Sequence, residues 1–294
     1  MDFNRRLARP SFWVLCLALL VAGAMFGVPG AYPPVARLAL AAVQLILILA
    51  VGWAAGLGRI AYPADRKTML AAALLLWPVA TFSLMPGFGP PDFTDAAHNE
   101  FRFYVLLVDV IAIGAATFML QDVLGDAGER LWSRLGFGAM LSATPIYLVW
   151  AVLMLAAARA AAAGTPWRLG AWRADVQSIV DILQFFGAFL TYLAGGLFAA
   201  SFLSARLIGR KTAAGLLAFA LVADICMLVR GLDNPPLSLL GVNAFGFVGW
   251  AAGIPAVPWL SLCVRGLILL RTPRTHALET DQDGRSGAVQ THAA

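Results

Sequence analysis

Phe103-Tyr104-Val105-Leu106-Leu107-Val108-Asp109-Val110-Ile111-Ala112-Ile113-Gly114-Ala115-Ala116-Thr117-Phe118-Met119-Leu120 decides what kind of protein this is. Eighteen residues with a single charge are long and apolar enough to belong to a membrane-crossing helix, which needs about 20 such residues for a hydrocarbon core of roughly 30 Å. The same kind of run recurs near 11–28, 36–57, 68–86, 137–158, 178–204, 212–230 and 245–270, and with the run near 103–122 that makes eight. The fold expected is therefore all-α, a polytopic bundle of about eight transmembrane helices filling 1–271.

Composition agrees. Of 294 residues, 61% are hydrophobic and 13% charged, with a mean hydropathy of +0.79. A soluble domain of this size carries about twice that share of charge, so a soluble globular enzyme is excluded. The net charge of +5 comes from basic residues placed between apolar runs rather than in one patch, which argues against a nucleic-acid partner. Cys16, Cys226 and Cys263 sit inside apolar runs without metal-ligand spacing, as small core residues do.

Orientation follows from arginine. With a cytoplasmic N-terminus, fifteen basic residues fall on the inside segments and six on the outside. The positive-inside rule then puts both termini in the cytoplasm of a bacterial inner membrane. The first run follows the basic stretch Asn4-Arg5-Arg6-Leu7-Ala8-Arg9 and is read as a signal anchor rather than a cleaved leader. Beyond Thr272 the chain turns polar without periodicity, and 272–294 is expected to be a disordered cytoplasmic tail.

Two loops on the outer side read alike, Pro29-Gly30-Ala31-Tyr32-Pro33-Pro34 and Pro86-Gly87-Phe88-Gly89-Pro90-Pro91, with Gly231-Leu232-Asp233-Asn234-Pro235-Pro236 a looser version. Duplication of a hairpin unit and repeated use of rigid turns both explain them. The segment from Thr165 to Arg173, with its two Trp-Arg pairs, suits a short helix at headgroup level.

Ionisable groups inside spans are costly and are candidates for function. The strongest pattern is Thr94-Asp95-Ala96-Ala97-His98-Asn99-Glu100-Phe101-Arg102-Phe103-Tyr104 running into the fourth span. On a helix that starts at Asp95, the side chains of Asp95, His98, Arg102 and Asp109 share an arc of about 60°. Such a stripe binds a small ion or headgroup, or relays protons, or else pairs its own charges while it packs. Asp224 lies six residues before Arg230 on the seventh span, at a depth similar to Asp109, roughly 9 Å below the outer surface. The sixth span carries Gln177, Asp181, Gln184, Ala188, Thr191 and Gly195 on one face, which is also the pattern of close helix packing in lipid. Arg265, near a cytoplasmic end, is expected to snorkel to water. Pro78, Pro145, Pro255 and Pro258 interrupt spans, as in helices that line cavities.

The chain has no HExxH, GxSxG or Walker A motif, no mid-span lysine or histidine, and no Cys or His pairs at metal spacing, so no cofactor or metal is expected. The leading expectation is binding or translocation of a small solute, ion or lipid headgroup through an outward-facing polar cavity among the fourth, sixth and seventh spans. Its candidate residues are His98, Arg102, Asp109, Asp181, Gln184, Asp224 and Arg230. An embedded enzyme acting on a lipid at the outer leaflet, with Asp109 or Asp224 as acid or base, is the alternative. A third reading is an assembly or anchoring subunit that meets other membrane subunits. Membrane lipids are the partners common to all three.

Overall fold

A computed structural model describes residues 56–82, 96–163, 173–232 and 256–271, together with ten helical positions between 35 and 53. The first span at 11–28, the two Pro-Gly loops at 29–34 and 86–91, the Trp-Arg segment at 164–172, the start of the eighth span and the tail at 272–294 lie outside the described residues.

Every described element is helical. A short 3-10 helix, Leu57–Ala61, leads into α1 (Pro63–Phe82), followed by α2 (Ala96–Asp126), α3 (Leu131–Ala162), α4 (Arg173–Ser204), α5 (Arg210–Leu232) and α6 (Ala256–Leu270). Four of these, α2 to α5, contain segments long and apolar enough to cross a membrane. α1 falls outside that set because Asp65, Arg66 and Lys67 crowd its start, and the apolar part of α6 begins only at Pro258. α2 to α5 each cover the run expected for them and reach a few residues beyond it, whereas α1 ends at Phe82 and α6 begins at Ala256, the rest of the runs 68–86 and 245–270 lying outside the described residues. The extra turns are amphipathic ends that hydropathy alone cannot register.

Neighbours in sequence are neighbours in space. α1 packs on α2, α2 on α3, α3 on α4 and α4 on α5. α6 then returns to lie against α1 and also touches α4. The result is a closed ring of α1, α2, α3, α4 and α6, with α5 packed on the outside of α4.

The α2–α3 and α4–α5 connections are built from local rules. α2 ends at Gly128, whose φ of 84° is the left-handed conformation that glycine adopts without penalty. The amides of Glu129 and Gly128 donate to the carbonyls of Leu124 (3.0 Å) and Gly125 (3.0 Å), the paired bonds of a Schellman end. α4 ends the same way, with Leu207 donating to Phe202 (2.9 Å) and Arg206 to Leu203 (3.0 Å). There the left-handed residue is Arg206, at φ 58°.

Packing is close where side chains are small. A Cβ on Gly187 of α4 would stand 2.9 Å from the ring of Tyr147 on α3, so the aromatic ring occupies the space of the missing side chain. A Cβ on Gly266 of α6 would meet the Ala72 carbonyl of α1 at 3.0 Å. In lipid, where tails are as apolar as leucine, such close approach supplies the van der Waals contact that holds helices together. Tyr147 and Trp259 meet edge to face at 5.2 Å and close the middle of the ring, and Phe103 meets Trp150 at 5.8 Å between α2 and α3. The opposite faces carry Val108, Ile111 and Phe118 of α2 and Val149 and Val152 of α3 outward, as lipid-facing surfaces require.

Candidate functional site

The inward face of α2 holds the polar groups. Asn99, Arg102, Asp109 and Thr117 are buried in steps of three, seven and eight residues, together with Phe103, Leu106, Val110 and Ile113. These spacings keep one helical face, which places Arg102 and Asp109 of the expected stripe toward the bundle, while Asp95 and the His98 side chain lie outside the described residues.

Asp109 has no exposed surface. Its hydrogen-bond partner is Thr81, from the last turn of α1: Thr81 Oγ1 lies 2.8 Å from Oδ1 and 2.9 Å from Oδ2. The same hydroxyl is 3.1 Å from the Pro78 carbonyl and 3.3 Å from that of Trp77. The Trp77 side chain also hydrogen-bonds the carboxylate. From α6, the buried Cys263 thiol lies within electrostatic range. Thr81 reaches this position because α1 runs antiparallel to α2, as the pairing of Lys67 with Asp126 near their other ends also records (2.8 Å). Asp224 does not reach Asp109, and the Arg230 side chain lies outside the described residues. The described hydrogen-bond partners of Asp109, Thr81 and Trp77, both come from α1.

Arg102 is buried one turn from the N-terminal end of the described span, seven residues and about 10 Å along the axis from Asp109. Asp224 on α5 has different neighbours. It lies near Tyr192 of α4, and its Oδ1 is enclosed without a hydrogen-bond partner. The extensive contacts of α2 are with α1 and α3, and those of α5 are with α4, so the two carboxylates occupy different helix interfaces. Gln184 is buried on α4. The backbones of His98, Asp181 and Arg230 are helical, in α2, α4 and α5, and their side chains lie outside the described residues.

Three buried charged groups are not among the candidates read from the sequence: Asp65, which lies 3.9 Å from Arg59, Arg265 and Glu129. Arg265 does not snorkel. It is 1% exposed and turns into the ring, donating to the Gly195 carbonyl of α4 at 2.6 Å and to the Ser261 carbonyl of its own helix. Position near a helix end favoured water. The close contact of α6 with α4, opened by the absence of a side chain at Gly195, directs the guanidinium inward instead. Glu129 sits in the α2–α3 turn, 6% exposed. It accepts from the amides of Trp132 (2.8 Å) and Ser133 (3.0 Å), and from the Ser201 hydroxyl of α4. Burial works against its charge, but the hydrogen bonds from Ser201, Trp132 and Ser133 outweigh it and hold the carboxyl below its ordinary range. A signal for it existed: an acidic residue just before a helix start, with serine at 133, is the pattern of an N-terminal cap.

The ends of the helices carry exposed pairs. Lys67 of α1 bridges Asp122 and Asp126 of α2, which hold the ammonium above its ordinary range. At the opposite end, Arg159 of α3 bonds Glu100 at 2.8 Å and also contacts Tyr104, both on α2. Among the described residues no group of three or more His, Cys, Asp or Glu is arranged to hold a metal ion. No protein family, curated protein or solved structure matches this chain.

Proposed function

We propose that this chain is a multi-pass protein of the bacterial inner membrane, with eight spans and both termini cytoplasmic, that binds or translocates a small solute, ion or lipid headgroup through an outward-facing polar cavity. The observation that carries this reading is the inward polar face of α2, where Asn99, Arg102 and Asp109 are all buried. A protein that only needed to fold would gain by filling those positions with apolar residues, because each ionisable group in a span costs about 2.5–3.5 kcal/mol on insertion scales. Asn99 and Arg102 lie between the outer end of α2 and Asp109, so a charged solute entering from outside meets an amide and a guanidinium before it reaches the carboxylate. Pro78 and Pro145, inside α1 and α3, interrupt the backbone bonding of helices on both sides of α2.

The test is accessibility. Cys16, Cys226 and Cys263 are first replaced, and single cysteines are then placed at Asn99, Leu106, Val108 and Ile111. A charged, membrane-impermeant thiol reagent added from the periplasmic side is expected to modify the first two and spare the lipid-facing pair. Equal protection of all four positions refutes a polar path along α2.

A further inference from the structure

Asp109 is the most deeply placed carboxylate on the path just proposed. It stands thirteen residues after the first residue of α2 and seventeen before the last, about 20–25 Å from either end. It has no cationic partner among the described residues. α1 offers it Thr81 and Trp77, neither ionisable, and α3 turns the buried phenol of Tyr147, a neutral group, into the ring. α6 offers the Cys263 thiol, which would repel it if ionised, and Arg265, which acts on that thiol but spends its hydrogen bonds on the Gly195 and Ser261 carbonyls. On α2 itself the nearest charge is Arg102, two turns away.

The local oxygen count is unbalanced. Four acceptor oxygens, the two of Asp109 and the carbonyls of Pro78 and Trp77, lie 2.8–3.3 Å from Thr81 Oγ1. The hydroxyl has one hydrogen to share among them. One more proton at Asp109 resolves the arrangement. The carboxyl O–H then donates to Thr81 Oγ1, and the threonine hydrogen turns to the Pro78 carbonyl beside the proline in α1. When that proton leaves, the threonine hydrogen returns to the carboxylate. Protonation thus reverses the hydrogen bond across the α1–α2 interface and adds one within α1, at its proline.

We propose that Asp109 reversibly carries a single proton, exchanged with water along α2, and that Thr81 reports its presence to α1. The proposal rests on the solute path above and names its coupling ion. A sodium ion is the competing monovalent cation. The direct 2.8–2.9 Å contacts between the hydroxyl and both carboxylate oxygens leave no space for a metal ion between them.

A hydrophobic carbodiimide tests this on the full-length protein in liposomes. A protonated carboxyl gives its proton to a carbodiimide nitrogen, the carboxylate oxygen adds to the central carbon, and the adduct is mapped by peptide mass spectrometry. The expected result is modification at Asp109 whose rate falls as pH is raised from about 5 to 9, unchanged when sodium chloride replaces choline chloride. Thr81→Val, which removes the donor to the carboxylate, is expected to extend labelling to higher pH by severalfold in rate, and Thr81→Ser to restore the original profile. No adduct at Asp109, or labelling independent of pH, overturns the proposal. Protection by sodium at fixed pH overturns it in favour of a metal-ion site. The two readings fail separately. Accessible cysteines without an Asp109 adduct reject the proton and keep the path, whereas a pH-dependent adduct beside protected cysteines rejects the path and keeps the proton.

Discussion

Replacing Arg265 with methionine is expected to leave the folded protein as stable as the parent or slightly more so, while alanine at the same place destabilises it. The guanidinium makes two charge-assisted hydrogen bonds, to Gly195 and to Ser261. Each is worth about 1.5–3 kcal/mol. Against them stands the removal of a cation from water with no carboxylate to meet it among the described residues, several kcal/mol even after relaxation. The two nearly cancel. Both acceptor carbonyls lie within helices, where each also accepts the amide four residues on, so losing the guanidinium strands neither. The third donor, Nε, has no acceptor and is relieved outright by methionine. Methionine also fills most of the volume and adapts its shape. Alanine leaves a void between α4 and α6, for which large-to-small core changes cost about 2–5 kcal/mol. Unfolding of the three proteins in the same detergent, by denaturant titration or melting, separates the outcomes. If methionine loses as much stability as alanine, the guanidinium holds the ring together and the argument that its charge is retained at a cost is wrong.

Other outcomes follow from particular residues. Arg206→Gly relieves the left-handed conformation at the end of α4 and is expected to stabilise by about 0.5–1 kcal/mol, whereas Gly128→Ala, with open space around its Cβ, loses at least that much from backbone strain alone; chemical unfolding of both checks the opposite signs. Glu129→Gln places an amide donor against the amides of Trp132 and Ser133 and costs about 1–3 kcal/mol at neutral pH. Because the folded carboxyl is held low, its contribution is full above the unfolded value of about 4.3 and fades as pH falls through that value and below. The parent should therefore lose stability on acidification and the variant should lose less, and equal slopes of melting temperature against pH reject the cap. Reporter fusions after Lys67 and Lys211 are expected to report cytoplasm, and those near Asp92 and Asp233 the far side; reversal at any two sites rejects the eight-span topology.

The class of the protein was legible in its sequence because hydropathy over 20 residues depends on composition alone, and lipid as a solvent demands helices whose backbone bonds close on themselves. The inward turn of Arg102 and Asp109 was legible as well, since polar groups at helical spacing on an otherwise apolar helix have one favourable direction. Their neighbours were not. The lipid-facing side of α2, with Val108, Ile111 and Phe118, is as apolar as its core side, with Leu106, Val110 and Ile113, so periodicity does not say which helix packs where. Thr81 meets Asp109 from 28 residues away. Arg265 meets Gly195 from 70 residues away, through a gap that exists only because a glycine faces α6. Tertiary packing decided both contacts, because α6 closes against α1 and α4 by shape, through small residues and aromatic edges that hydropathy does not distinguish from any other apolar surface.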